Sequence, residues 1–237
     1  MGAATSRFTL EQLQQTVASY PPESCLLPAT TPPLEEYTTI TLAKRNALNR
    51  RSFDITDANG VAMYTTEVAK GTRMWFDVVT PTGTKVARCA TGPLRKVWDI
   101  FIFDKPTKDA PVEAKASTKA EAPVYKRAQL KLGVMRIDGD FCVVGPDGTV
   151  GPPLFHVEAI KGIKVKCQAY CVPAGFDKKS AAELPPLVAY WDWDHNFLRA
   201  KHWVNLKLSK GTDSLAFIIC VVIMELLKQE NPASGTS

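Results

Sequence analysis

The sequence predicts a mainly β protein: a closed antiparallel sheet wrapped around one carboxyl-terminal helix. Three observations lead there. Residues Leu215 to Met224 are apolar in unbroken succession. A strand–turn–strand pattern occurs three times upstream of that run. The remaining segments alternate apolar and polar residues at the period of a strand.

The helix comes first because it constrains everything else. A helix that is apolar on every face must be enclosed on every face, by protein or by lipid. About 13 residues at ~1.5 Å each reach only about 20 Å, short of the ~30 Å hydrocarbon core of a bilayer. Glu225 also interrupts the run before Leu226, Leu227 and Lys228. The helix is therefore expected inside the protein. Burying Leu215 to Met224 contributes on the order of 15–25 kcal/mol gross, an upper bound before conformational entropy is subtracted.

The repeat supplies the enclosure. Phe53 to Gly60, Phe76 to Gly83 and Phe141 to Gly148 share one form: Phe, a second apolar residue two positions on, and Gly seven after the Phe. Apolar spacing of two puts one face of a strand inward. Gly at the turn supplies the positive φ that a tight hairpin demands. The return strands are expected at Val61–Val68, Thr84–Ala90 and Leu154–Ile160. Lys96 to Phe103, aromatic and β-branched, suits a well-buried strand. Ile163, Val165 and Cys167 alternate with Lys164, Lys166 and Gln168, and Val204, Leu206 and Leu208 alternate with Asn205 and Lys207. Many short strands followed by one wholly apolar helix indicate a closed sheet with the helix through its middle.

The hairpin Phe53 to Val68 and the segment Trp203 to Asp213, running into the apolar helix, resemble the LURP-one-related proteins. These belong to the wider Tubby C-terminal-like group, which also contains the phospholipid scramblases. The resemblance spans about Tyr37 to Lys228 and implies a 12-stranded antiparallel β-barrel around a central hydrophobic helix. It implies no chemistry, because a fold does not fix a function. In scramblases an acidic calcium-binding segment precedes the final helix. The corresponding stretch here, His202 to Leu208, has no acidic residue.

One barrel domain is expected over residues 35–230, with an arm over 1–34 and a tail over 231–237. Residues 104–125 offer almost no large apolar side chain and are expected to form a flexible insertion outside the barrel. The arm is expected outside as well. Leu10, Leu13 and Val17 would share one face of a short helix there, and the prolines from Pro21 to Pro33 would form an extended connector.

Functional hints are sparse. The opening Met1-Gly2-Ala3-Ala4-Thr5-Ser6 matches the pattern for N-myristoylation at Gly2. A single acyl chain binds membranes only marginally, so it would need a basic patch beside it. Lys44, Arg45, Arg50 and Arg51 flank the first hairpin, and Lys161, Lys164 and Lys166 line a later strand. They are the candidates for contact with anionic lipid head groups. Solvated outer strand faces are the competing reading. A net charge of +5 fits an anionic surface without requiring one.

Trp191-Asp192-Trp193-Asp194 would put two carboxylates on one strand face, and Cys167 and Cys171 would share another. Neither supplies the ligand set that a metal site needs. His156 reads as a lone polar residue. No phosphate-binding loop, nucleophile elbow or paired metal-binding histidines occur, so no cofactor, small-molecule substrate or nucleic acid is expected. With no apolar signal core and six scattered cysteines, a cytoplasmic setting is expected, at the inner face of the plasma membrane if Gly2 is acylated. Three readings follow: a non-enzymatic barrel that binds phosphoinositide-type head groups or acts as an adaptor beside a membrane protein, a scramblase-like membrane factor, or a soluble interaction scaffold. Oligomeric state is left open.

Overall fold

A computed structural model describes residues 10–18, 24–27, 32–45, 52–69, 74–92, 94, 96–103, 124–133, 138–160, 166–172, 185–195 and 202–230. After a short helix α1 (Leu10–Gln15), twelve strands follow: β1 (Thr38–Lys44), β2 (Phe53–Thr56), β3 (Ala62–Val68), β4 (Trp75–Val79), β5 (Lys85–Thr91) and β6 (Val97–Phe103), then β7 (Val124–Leu132), β8 (Asp138–Val144), β9 (Val150–Ile160), β10 (Lys166–Cys171), β11 (Leu187–His195) and β12 (His202–Leu208). Helix α2 (Ser214–Glu230) closes the chain. Each strand pairs with its neighbours in sequence, and β1 pairs with β12, so the sheet closes into a barrel with no free edge.

An eight-stranded barrel is filled by its own side chains, and diameter grows with strand number. Twelve strands make room for a helix about 10–12 Å across. Leu215 to Leu227 are all buried along its length. The three repeated phenylalanines, Phe53, Phe76 and Phe141, are fully buried and face inward. Phe141 stacks on Phe155 at 4.5 Å, and Phe155 stacks on Phe217 of α2 at 4.4 Å, which fastens the wall to the helix.

The repeated turns share one geometry. Asp57 N donates to Val61 O at 3.0 Å, Thr80 N to Thr84 O at 2.8 Å and Gly145 N to Thr149 O at 2.8 Å. Gly60, Gly83 and Gly148 carry φ of 78°, 86° and 80°. These are three-residue connections with a left-handed glycine closing a bulge. Strand β9 begins at Val150, four residues before the expected Leu154. Shifts in the β8–β9 register at Cys142 and Val144 accommodate Pro152 and Pro153 there.

The arm departs from expectation. Leu13 of α1 is buried, but Val17 lies past the helix, 63% exposed, in a parallel bridge with Lys210. Cys25, Leu26 and Leu27 are buried, and Leu26 and Leu27 join the main core, so this part of the arm belongs to the barrel. A side chain at Gly211 would collide with the Ala18 carbonyl oxygen, which explains the glycine where the arm crosses.

Asp213 joins the arm to α2. It is 2% exposed, and its Oδ1 accepts N–H bonds from Leu215 (3.0 Å) and Ala216 (3.2 Å), capping the helix. Its Oδ2 accepts the Leu26 N–H at 2.7 Å, while Arg127 Nη2 donates to the Cys25 carbonyl at 3.3 Å. Burial pushes the Asp213 carboxyl above the usual carboxylate range, against the pull of those N–H bonds and of Arg127. A raised folded pKa means that proton uptake favours the folded state. This site therefore adds stability as pH falls from the folded pKa to the ordinary carboxylate value, and subtracts it above.

Asp213→Ala is expected to cost about 2–4 kcal/mol in urea unfolding, since it removes the cap and strands the Leu26 N–H. Asp213→Asn keeps the cap and should cost about half as much. It should also abolish the stability gain on mild acidification.

Candidate functional site at the two rims of the barrel

Strand direction sorts the connections between two rims. Helix α2 begins where β12 ends, so the β2–β3, β4–β5, β6–β7, β8–β9 and β10–β11 connections join the proximal rim, where the helix starts. The other six connections join the distal rim, where it ends. The five proximal connections (57–61, 80–84, 104–123, 145–149 and 172–186) carry six basic and eight acidic residues. The six distal connections (45–52, 69–74, 92–96, 133–137, 161–165 and 196–201) carry twelve Lys or Arg and no Asp or Glu. This sorting follows from the described strands that each connection joins.

Beside the distal rim, a groove of about 640 Å³ opens on the outer wall over β4, β5 and β6. Ala90 forms its floor, opposite Trp75 on one side and Asp99 on the other. Arg88 and Phe101 line it farther from the rim, and Gly92 lines the end toward the rim. The groove's charges are neutralised from within. Asp77 is 1% exposed and takes Arg88 Nε at 2.7 Å, Arg88 Nη2 at 3.0 Å and Lys85 Nζ at 3.0 Å. The Arg88 guanidinium lies 4.7 Å from the Trp75 ring centre and 5.4 Å from that of Phe103. Asp99 accepts from Gln129 at 2.6 Å and pairs with Lys126 at 2.8 Å.

The sequence-predicted site residues scatter. Lys44 is half-buried and turned inward. It shares the inward parity of Ile40 and Leu42, and its Nζ lies 3.4 Å from Oε2 of Glu225, which is 2% exposed on α2. A cation beside the last turns of a helix also meets the negative end of its dipole. Arg45 is exposed and pairs with Asp54 at 3.0 Å. Lys166 is exposed, stands opposite Asp192 in register, and has its Nζ 6.0 Å from the Tyr190 ring centre. Gly2, Arg50, Arg51, Lys161 and Lys164 lie outside the described residues. By sequence, Arg45, Arg50, Arg51, Lys161 and Lys164 all belong to connections at the distal rim.

His156 is not alone. Its Nδ1 lies 2.7 Å from Asp140 Oδ1, and its ring 5.4 Å from that of Tyr170, so three polar side chains cross β8, β9 and β10 in one row. The cross-strand register makes this row, and sequence spacing does not display it. Cys167 is buried and Cys171 half-buried; among the described residues no three His, Cys, Asp or Glu converge as a metal site would require.

Comparison with solved structures finds a similar chain. An X-ray structure of the Arabidopsis thaliana protein AT5G01750 covers 90% of this chain and 98% of its own. The TM-score is 0.49 and the identity 14%. No family model and no curated protein matches.

Lys44→Met is expected to destabilise the fold by about 2–4 kcal/mol in chemical denaturation, because it leaves Glu225 buried without this cation. Adding Glu225→Gln should recover most of that loss. A loss no larger than that of a surface lysine would mean that the pair contributes little.

Proposed function

We propose that the protein is a non-enzymatic peripheral binder that presents the distal rim of its barrel to anionic head groups at a membrane surface. One observation carries the reading: twelve basic residues and no acidic one in the connections at that rim, against a near balance at the other. A helix dipole contributes only about half a charge at each end, so it does not call for so many cations. Each Lys or Arg near an anionic leaflet contributes about 1 kcal/mol, screened by salt. The same connections contain Leu48, Leu94, Val134, Met135, Ile163, Phe197 and Leu198. Basic residues interleaved with apolar ones suit the boundary between head groups and acyl chains.

Acylation at Gly2 is compatible with this orientation. The eight residues from Leu10 back to Gly2 span at most about 26–29 Å. The wall is about 23 Å high for a seven-residue strand. The span of that segment thus exceeds the height of the wall. Together, one chain and one basic surface give the two signals that stable attachment needs.

Sedimentation with liposomes tests the proposal. The chain should bind vesicles containing phosphatidylserine or phosphoinositides, and binding to neutral phosphatidylcholine should be weak. Arg50→Gln with Arg51→Gln should lower affinity about 30-fold at low salt and flatten the salt dependence. Gly2→Ala should move the protein from membrane to soluble fractions in its native cell. Equal binding to neutral and anionic vesicles contradicts the reading, as does none to either.

A further inference from the structure

We infer that the β5–β6 tip, with Leu94 at its end, inserts among lipid head groups when the distal rim meets an anionic bilayer; the inference rests on the proposed reading of that rim. Leu94 is 73% exposed, more than any other large apolar residue among the described ones, and Val97 beside it is 39% exposed. The other two exposed large apolar residues, Val17 and Val61, lie at the proximal rim. A single exposed leucine is ordinary on a protein surface and by itself means nothing. This one sits within Gly92-Pro93-Leu94-Arg95-Lys96, where basic charge and an exposed apolar side chain coincide. Pro93 and Arg95 lie outside the described residues, and Lys96 is exposed.

The base of the tip is pinned. Thr91, 6% exposed, donates its hydroxyl to the Val97 carbonyl at 2.8 Å across the two strands. The Leu132 N–H donates to the Lys96 carbonyl at 2.7 Å, tying the same base to β7. Thr91 stands opposite Trp98, which is fully buried in the barrel. The strand ends on either side of Leu94 are thus fixed, which limits the chain entropy lost when Leu94 is covered. Lys96 and its basic neighbours bring the rim to an anionic surface through a long-range, salt-screened attraction. Leu94 adds a short-range apolar contact that salt does not weaken. An acidic protein would satisfy the cations, but would use Leu94 only if it carried a matching apolar pocket. The interface of a bilayer accepts an apolar side chain anywhere along its surface.

The test uses the full chain, acylated where the host cell acylates it, and vesicles of phosphatidylcholine with and without 30% phosphatidylserine. Sedimentation is measured across a salt series. Leu94→Ala should lower affinity about 5–10-fold at every salt concentration and leave the slope unchanged. Lys96→Gln should reduce the slope. Thermal midpoints should stay at the wild-type value, since Leu94 is 73% exposed. A second readout is independent of affinity. An environment-sensitive dye on Leu94→Cys should shift to the blue on binding and be quenched by lipid spin labels placed at shallow depth. All six native cysteines but Cys171 are buried, so labelling can be directed to the new thiol. Wild-type chain that ignores anionic vesicles overturns the membrane reading and the insertion together. Wild-type binding with no effect of Leu94→Ala and no dye shift overturns the insertion alone. Binding to polyglutamate as tight as to vesicles, and indifferent to Leu94, also overturns it and assigns the rim to an acidic protein.

Discussion

The structure depends on enclosing a helix that has no polar face. Helix α2 carries ten consecutive apolar residues and cannot stand in water, so a wall must surround it, and the wall must be wide enough for a helix rather than for side chains alone. Twelve strands meet that requirement, and pairing β1 with β12 leaves no unpaired edge. Enclosure has a cost at the helix start, where N–H groups would be buried without partners. Asp213 meets it by capping Leu215 and Ala216, and its second oxygen fastens the arm at Leu26. One buried carboxylate therefore links helix, rim and arm.

A closed meander of antiparallel strands has a further consequence. Every second connection emerges at the same rim, so residues distant in sequence come to share a surface. Here the two sets differ sharply in charge: the proximal set is close to balanced, and the distal set is basic without exception. Inside that basic rim, Lys44 is turned inward to Glu225 and holds the far end of the helix. Structural cations and surface cations thus occur a few residues apart, and the pleat of the strand decides which is which.

Much of the fold can be read from the chain. Phe53, Phe76 and Phe141, each with a glycine seven residues on, mark three hairpins, and the apolar run marks the helix. These signals are local and repeated. The inward turn of Lys44 was also legible in principle, because it falls in step with Ile40 and Leu42; its charge alone suggests the opposite. The buried Cys25 and Leu26 are hard to foresee because their partners, Arg127 and the Asp213 cap, lie more than a hundred residues away. Asp77 reads as a surface residue between Phe76 and Val78, yet Arg88 and Lys85 cover it from the next strand. The Asp140–His156 pair likewise exists only through register. The candidate site was least legible of all. No stretch of sequence is strikingly basic, and the rim appears only once strand order assigns each connection to an end of the barrel.

The central claim is that one end of the barrel faces the membrane. Hydrogen–deuterium exchange with and without anionic vesicles tests it directly, because each connection yields its own peptides. The account predicts added protection over residues 45–52, 92–96, 161–165 and 196–201, and none over 57–61, 80–84 or 145–149. Protection at the proximal turns, or spread equally over both rims, would contradict it.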